Sequence, residues 1–165
     1  EERPIGETGL LLIKGPNVMK GYLGRDDLTE EAFHGEWYKT GDIAMMDSDG
    51  FLHITGRIKE IVIRGGENIY PGEIENVAYS MEPVLEVVVF GVPDAKMGEE
   101  MAMVAYARPE TGLTVDALRA HVGGKLAGYK VPKYIELSEQ PLPQNASGKL
   151  FKRKIQDAFV AQLGA

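Results

Sequence analysis

The sequence of 165 residues contains no cysteine and has no excess of positive charge. Without cysteine there are no disulfides or thiolate metal sites, and this composition is typical of a reducing compartment, so we predict a cytoplasmic protein. The net charge of −7 argues against nucleic acid or an anionic membrane as the main partner. No apolar run reaches the ~18 residues of a membrane span, and no signal peptide is recognisable at the start.

The rest of the composition is that of a folded domain. Hydrophobic residues make up 44% of the chain and charged residues 26%, which is ordinary for globular proteins and argues against disorder. A chain of this length can bury a sizeable core without covalent cross-links. The sequence begins Glu1-Glu2-Arg3 without a methionine, and we therefore expect it to be part of a longer protein.

Hydrophobic periodicity predicts short strands in the first third of the chain and a compact α+β unit after about residue 60. The predicted helices cover residues 26–33, 72–81, 114–126 and 151–163, and the predicted strands cover residues 10–14, 37–40, 43–46, 51–55, 60–64, 84–92, 102–108 and 134–137. Asp26 or Asp27 is expected as the N-cap of the first helix and Thr114 as the N-cap of the third. A hairpin with Gly50 in the left-handed region is expected at residues 47–50.

Three polar or flexible positions follow one another in a pattern suited to a nucleotide. Asp42 follows a predicted Thr-Gly turn, where a short carboxylate can accept two hydrogen bonds from a vicinal diol such as ribose. Arg57 carries a planar fork of donors that suits phosphate or ribose oxygens. Gly65 and Gly66 permit a positive φ and lack a Cβ, so a thin ligand can pass close to the backbone. Together they predict a nucleotide-binding site.

Each of these residues also has a purely structural interpretation. Asp42 could be an ordinary turn aspartate, and Arg57 could be a surface guanidinium paired with Asp47 or Asp49. The two glycines could form the turn of a hairpin.

Other candidate residues are equally open. Lys149 could be an exposed charge near the start of a helix, and residues 152–154 could be a solvated helix face. The histidines His34, His53 and His121 lack the spacing of a metal site, and we interpret them as structural.

The order of four motifs resembles that of the adenylate-forming enzymes, which include acyl-CoA synthetases, peptide-synthetase adenylation domains and luciferases. Residues 9–22 resemble the strand and "G-x-x-V-M-x-G-Y" segment of that superfamily, and residues 38–42 resemble its "Y-x-T-G-D" motif. Residues 56–75 are similar to the hinge and the "G-x-x-I-x-P-x-E-I-E" segment. Residues 143–149 are similar to the C-terminal "P-x-x-x-S-G-K" motif. The resemblance covers nearly the whole chain.

This resemblance implies an α+β fold in two parts. Residues 1–58 would be the β-rich, barrel-like end of the large adenylation domain. Residues 59–165 would be a small mobile domain with a mixed sheet flanked by helices. Lys59 occupies the position of the family's hinge residue, about which the small domain swings between an adenylating pose and a thioester-forming pose.

The resemblance also implies a two-step ligase, in which a carboxylate and ATP give an acyl-adenylate and the thiol of CoA then displaces AMP. Asp42 would bind the ribose hydroxyls beside Tyr38, and Arg57 would support the nucleotide. Lys149 would reach the carboxylate and α-phosphate oxygens, where a fixed cation stabilises the transition state.

The CoA side of the reaction is assigned to the second part of the chain. In the thioester-forming pose the loop with Arg64, Gly66 and Glu67 would face the active site, and Gly66 would line a narrow pantetheine channel. Lys152 and Arg153, together with Arg64, are candidates for binding the CoA phosphates.

The family's phosphate-binding loop, acyl pocket and magnesium-binding glutamate lie upstream of these motifs, and none is in this sequence. We therefore expect the chain to need the missing N-terminal domain of the same protein, and to be inactive alone. Residues 147–153 resemble the "S-G-K-x-x-R-R" end of acyl-CoA synthetases of fatty acid metabolism more than the end of carrier-loading adenylation domains. A catalytically silent interaction module is the competing class. The acid, the acceptor and a homo-oligomer remain open.

Overall fold

The computed structural model describes residues 2–164 and divides the chain into two compact units after Lys59. The helices are α1 (Asp26–Ala32), α2 (Pro71–Tyr79), α3 (Val115–Gly123) and α4 (Lys152–Leu163), with 3-10 turns at Ile58–Glu60 and Gly128–Lys130. The strands are β1 (Thr8–Ile13), β2 (Phe33–His34), β3 (Trp37–Met46), β4 (Leu52–Arg57), β5 (Val62–Arg64), β6 (Glu67–Ile69), β7 (Val84–Asp94), β8 (Gly98–Ala107) and β9 (Tyr134–Ser138). The predicted α+β class is confirmed.

The first unit is a four-stranded antiparallel sheet built around β3. Strand β1 pairs along one edge of β3, while β4 and the short β2 pair along the other edge. Strands β3 and β4 are joined by the hairpin predicted from Asp47 to Gly50, and Gly50 adopts φ 85° as expected. The helix α1 begins beside Arg25, without a side-chain cap. The predicted Asp26 or Asp27 cap is therefore wrong, since Asp27 pairs back with Arg25 instead.

The Thr-Gly turn predicted before Asp42 is also wrong, because β3 is one continuous strand. The residues on either side of the predicted turn are Lys39 and Ile43, and they pair with Leu12 and Leu10 of β1. Residues 40–42 therefore lie opposite Leu11 alone, and they form a bulge. Gly41 provides the bulge with a φ of 78°, a conformation that glycine adopts without strain.

The second unit contains a five-stranded mixed sheet, in which four strands follow the order β6-β5-β8-β7. The fifth strand, β9, pairs in parallel with β8, on the same edge of β8 as β5. Strands β7 and β8 form a long antiparallel hairpin. The side chains of β7 alternate between two core clusters, since Val87 and Val89 belong to one and Val88 and Phe90 to the other. Because both faces of the hairpin are buried, its sequence is apolar almost without interruption.

Helices cover both faces of this second sheet. The first core cluster includes Ile74 of α2 and Leu118 of α3, while the second includes Ile155 and Phe159 of α4. The N-cap predicted for α3 is confirmed, because Thr114 Oγ1 accepts a hydrogen bond from the Ala117 amide at 3.2 Å. Within residues 2–164, no helix has the length and hydropathy needed to cross a membrane.

Candidate functional site

Asp42 and Arg57 lie side by side on two neighbouring strands of the first sheet. They are register partners on β3 and β4, and Arg57 Nε donates to Asp42 Oδ1 at 2.8 Å. The Asp42 side chain is 25% exposed and that of Arg57 is 63% exposed. In the described part of the chain this is the one bond of each side chain, so the second carboxylate oxygen and the terminal guanidinium nitrogens can meet a ligand. The pairing of Arg57 with Asp47 or Asp49 is wrong, since Asp47 contacts His53 at 2.6 Å.

Thr40 fixes the bulge that carries Asp42. Its hydroxyl donates to the Leu11 carbonyl at 2.9 Å and accepts from the Asp42 amide at 3.0 Å. These two bonds fix the backbone from which the Asp42 side chain extends. Thr40 is a residue that sequence reasoning missed, although its place two residues before the aspartate is the recognisable sign of such a side-chain turn.

Tyr38 lies earlier on β3 in the same neighbourhood. Its ring packs edge to face against Phe33, with the centroids 5.5 Å apart. A hydrogen bond with the Tyr22 side chain raises the pKa of Tyr38, and burial adds to this effect. The nearby Asp42 raises the same pKa and Arg57 lowers it. Asp42 and Arg57 are thus close enough to Tyr38 to influence its pKa, and the binding of one ligand by all three residues stays a prediction.

The glycine pair of the second unit is the turn of a hairpin, which confirms that structural interpretation. Gly65 and Gly66 join β5 to β6 with φ values of 59° and 90°. A Cβ on Gly65 would lie 2.5 Å from the end of the Met97 side chain, whereas a Cβ on Gly66 would meet no atom within 4 Å. Glu67 is exposed beside Gly66. Gly66 therefore borders open space, which is compatible with a ligand path.

Arg64, just before this turn, is bound to a buried carboxylate. Its Nε and Nη2 donate to the two oxygens of Glu100 at 2.7 and 2.9 Å, and Glu100 is 5% exposed. The neighbouring Glu99 accepts from the Ile63 amide at 2.7 Å. Sequence reasoning missed Glu100 because it lies on β8, far from Arg64 along the chain.

Lys149 is exposed on the loop that precedes α4. Its ammonium takes part in no hydrogen bond or ion pair with residues 2–164, although its backbone groups are bonded within the loop. A free ammonium on a fixed backbone can approach an anionic ligand without first giving up a protein partner.

Lys152 and Arg153 differ in exposure and in the ion pairs they make, although they are neighbours in sequence. Lys152 Nζ lies 2.5 Å from Glu60 and 3.0 Å from Glu75. Burial disfavours its charge, but Glu75 and Glu60 outweigh burial and raise the pKa of Lys152. The Arg153 side chain is 88% exposed, and its Nε lies 3.9 Å from Asp157 Oδ2, which is a long distance for an ion pair. The solvated-face interpretation therefore fits Arg153 and is wrong for Lys152.

Two of the three histidines contact protein groups. His53 contacts Asp47, and His121 contacts the Ser80 hydroxyl at 3.0 Å and the Val77 carbonyl at 3.1 Å. In the range 2–164 no group of three or more histidine, aspartate or glutamate side chains is arranged to hold a metal ion.

Comparison with known proteins identifies the family. Residues 73–149 match the family described as AMP-binding enzyme C-terminal domain. The chain is 42% identical to a feruloyl-CoA synthase from Amycolatopsis sp over 159 residues, which are 96% of this chain and 32% of that protein. It is 46% identical to the putative acyl-CoA synthetase YngI from Bacillus subtilis over 94% of this chain and 28% of that one. The crystal structure of ATP-bound MatB from Rhodopseudomonas palustris superposes with a TM-score of 0.87 and 35% identity, covering 97% of this chain and 32% of that one.

The chain belongs to the adenylate-forming enzymes and contains their AMP-binding enzyme C-terminal domain. It spans about a third or less of the length of these three relatives.

Proposed function

We propose that this chain is the C-terminal part of an ATP-dependent acyl-CoA ligase. The observation that carries the proposal is the match to CoA ligases, at 42% and 46% identity over 96% and 94% of the chain, which leaves almost no part of the four motifs outside the matched region. In the first step a carboxylate oxygen attacks the α-phosphorus of ATP, and the bond to the pyrophosphate oxygen breaks. In the second step the CoA sulfur attacks the acyl carbon, the thiol loses its proton, and AMP leaves.

We assign ATP binding to the residues gathered on β3 and β4. The free oxygen of Asp42 accepts from the ribose hydroxyls, and the bond from Arg57 orients that carboxylate while the terminal guanidinium nitrogens face the nucleotide. Tyr38 packs beside them. Lys149 places its ammonium at the reacting carboxylate and α-phosphate oxygens, where charge is redistributed and a positioned cation stabilises the transition state.

Our assignment of CoA binding rests on exposure and on existing contacts. Gly66 borders open space at the hairpin turn, so a pantetheine arm can pass there without a side chain in its way. Of the three cations predicted for the CoA phosphates, Arg153 is the best supported because its side chain is 88% exposed. Arg64 and Lys152 would each have to weaken ion pairs with carboxylates, and their roles stay predictions.

The division of labour between the units is part of the proposal. Residues 1–58 would end the large adenylation domain and residues 59–165 would form the small domain, with Lys59 as the hinge residue. The magnesium-binding glutamate is expected upstream of this chain, and that ligand stays a prediction. The cytoplasmic location and the homo-oligomer are likewise predictions.

The test uses the full-length enzyme with Lys149→Ala, and Lys154→Ala as a matched control on the exposed face of α4. Adenylation is followed by acid-dependent ATP–pyrophosphate exchange with a panel of carboxylic acids. Thioester formation is followed separately from supplied acyl-adenylate and CoA. We expect Lys149→Ala to abolish exchange while sparing the thioester step, and Lys154→Ala to behave as wild type.

Three results would change the assignment. Exchange that persists in Lys149→Ala would remove the catalytic role of that lysine. Thioester formation only with a carrier protein would replace the acyl-CoA ligase by a carrier-loading adenylation domain. Absence of exchange with every acid in the wild-type enzyme would favour a catalytically silent interaction module.

A further inference from the structure

The base of the loop that carries Lys149 is bonded to a carboxylate on the central hairpin. Glu86 lies on β7, and its Oε2 accepts from the Leu142 amide at 2.5 Å while its Oε1 accepts from the Gln144 side-chain amide at 3.0 Å. Leu142 is 5% exposed and packs in the second core cluster. The loop therefore leaves the core at a defined point and in a defined direction.

The tip of the same loop is organised by one side-chain oxygen. Asn145 Oδ1 accepts three hydrogen bonds, from the Ser147 amide at 3.0 Å, the Ser147 hydroxyl at 2.7 Å and the Lys149 amide at 3.0 Å. The Asn145 amide also donates to the Lys149 carbonyl at 2.8 Å. Both backbone polar groups of Lys149 are thus bonded to Asn145.

We propose that Asn145 is a positioning residue for Lys149, and that Glu86 supports it by fixing the base of the loop. The proposal rests on the function assigned to Lys149 above. A lysine has a flexible four-carbon stem, so its ammonium is placed no better than the backbone from which it extends. Fixing that backbone before the reaction removes part of the entropy cost of bringing the cation to the reacting oxygens.

The same geometry separates positioning from stability. Asn145 is exposed, and the bonds of its side chain join only residues of the loop. The core contact of the loop is made by Leu142, whose amide is held by Glu86 and not by Asn145. Removing the Asn145 side-chain oxygen should therefore free the Lys149 backbone amide and loosen the tip of the loop, while the backbone bond to the Lys149 carbonyl and the fold remain.

The experiment compares Asn145→Ala and Asn145→Asp in the full-length enzyme, with Lys149→Ala measured in parallel. We expect Asn145→Ala to lower the kcat of adenylation by up to roughly 10²-fold, the loss that a displacement of about 1 Å can cause. The KM values for ATP and acid, the thioester step from supplied acyl-adenylate and the Tm should stay close to wild type. Asn145→Asp retains the acceptor oxygen and should recover most of the rate.

Glu86→Gln gives a graded second measurement. The glutamine can still accept from the Leu142 amide, but its own amide group cannot accept from Gln144. We expect adenylation to fall less than in Asn145→Ala, again with the thioester step spared.

Several outcomes would overturn the inference. Adenylation unchanged in Asn145→Ala, or Asn145→Asp as slow as Asn145→Ala, would show that the acceptor does not place the lysine. An equal fall of both half-reactions with a lower Tm would indicate a merely structural role. If Lys149→Ala itself keeps adenylation, the proposed function of Lys149 fails first. If Lys149→Ala abolishes adenylation and Asn145→Ala does not, the function proposed for Lys149 stands and the inference about Asn145 is wrong.

Discussion

The two units differ in how they use their hydrophobic residues. In the described part of the first unit, Ile43 and Ala44 are the buried hydrophobic residues, while Phe51, Leu52 and Ile54 remain more than half exposed. The second unit builds two core clusters on opposite faces of one sheet. Burial of apolar surface is the main favourable term in folding, so the second unit has an independent source of stability that the first lacks.

Separating the units tests this difference most directly, and it carries the largest expected effect. We expect residues 60–165, produced alone, to unfold in one cooperative thermal transition, and residues 2–59 alone to show none. Circular dichroism at increasing temperature measures both. A cooperative transition in the isolated first unit would mean that its four-stranded sheet is stable without a large core.

The ion pairs of the two units sharpen the comparison. Glu100→Gln should destabilise the 165-residue chain by about 1.5–3 kcal/mol, because it weakens the charged hydrogen bonds to Arg64 at a buried site. Asp42→Asn should cost only about 0–1 kcal/mol, as is usual for an exposed pair. Denaturant midpoints with equal m-values report both. Equal losses would contradict the burial argument, whatever the effect of Asp42→Asn on nucleotide binding.

Acid stability offers the smallest effect. The pKa of Asp94 is lowered to about 2, first by the bond from Lys133 and then by those from the Met97 and Lys96 amides. A carboxyl group whose pKa is lowered by folding stabilises the protein above its unfolded pKa of roughly 3.9. That contribution is lost as the pH falls through about 2.

We expect the difference in unfolding free energy between wild type and Asp94→Asn to shrink as the pH is lowered across this window. Denaturant titrations at several pH values measure it. A difference that is independent of pH would exclude the ionised carboxylate as its source.

Short sequence patterns predicted the structural features that depend on residues near one another along the chain. Thr114 caps its helix, Gly50 closes its hairpin, and the alternating buried faces of β7 appear as an apolar run. The bulge at Gly41 was predicted as a turn, because a positive φ serves both and only pairing with β1 distinguishes them. The partners of Arg57 and Arg64 depend on strand register, which composition and periodicity do not specify.

The candidate site follows the same division. Motif order predicts Tyr38, Asp42 and Arg57 as one group, and Asp42 and Arg57 are close enough to Tyr38 to influence its pKa. Glu86 and Glu100 leave no local sign, since each acts on a segment far along the chain. Asn145 has a weak sign, because asparagine two residues before serine often forms a side-chain turn.

The second core cluster has a consequence for synthesis on the ribosome. Strands β7 and β8 can form their hairpin early, but one face is covered by Leu142, Ile155 and Phe159. These residues are translated dozens of positions later, and contacts between distant residues form slowly. Until they have emerged, an apolar sheet face is open to other nascent chains. The segment that follows β9 thus determines how long a folding intermediate of this protein is exposed to aggregation.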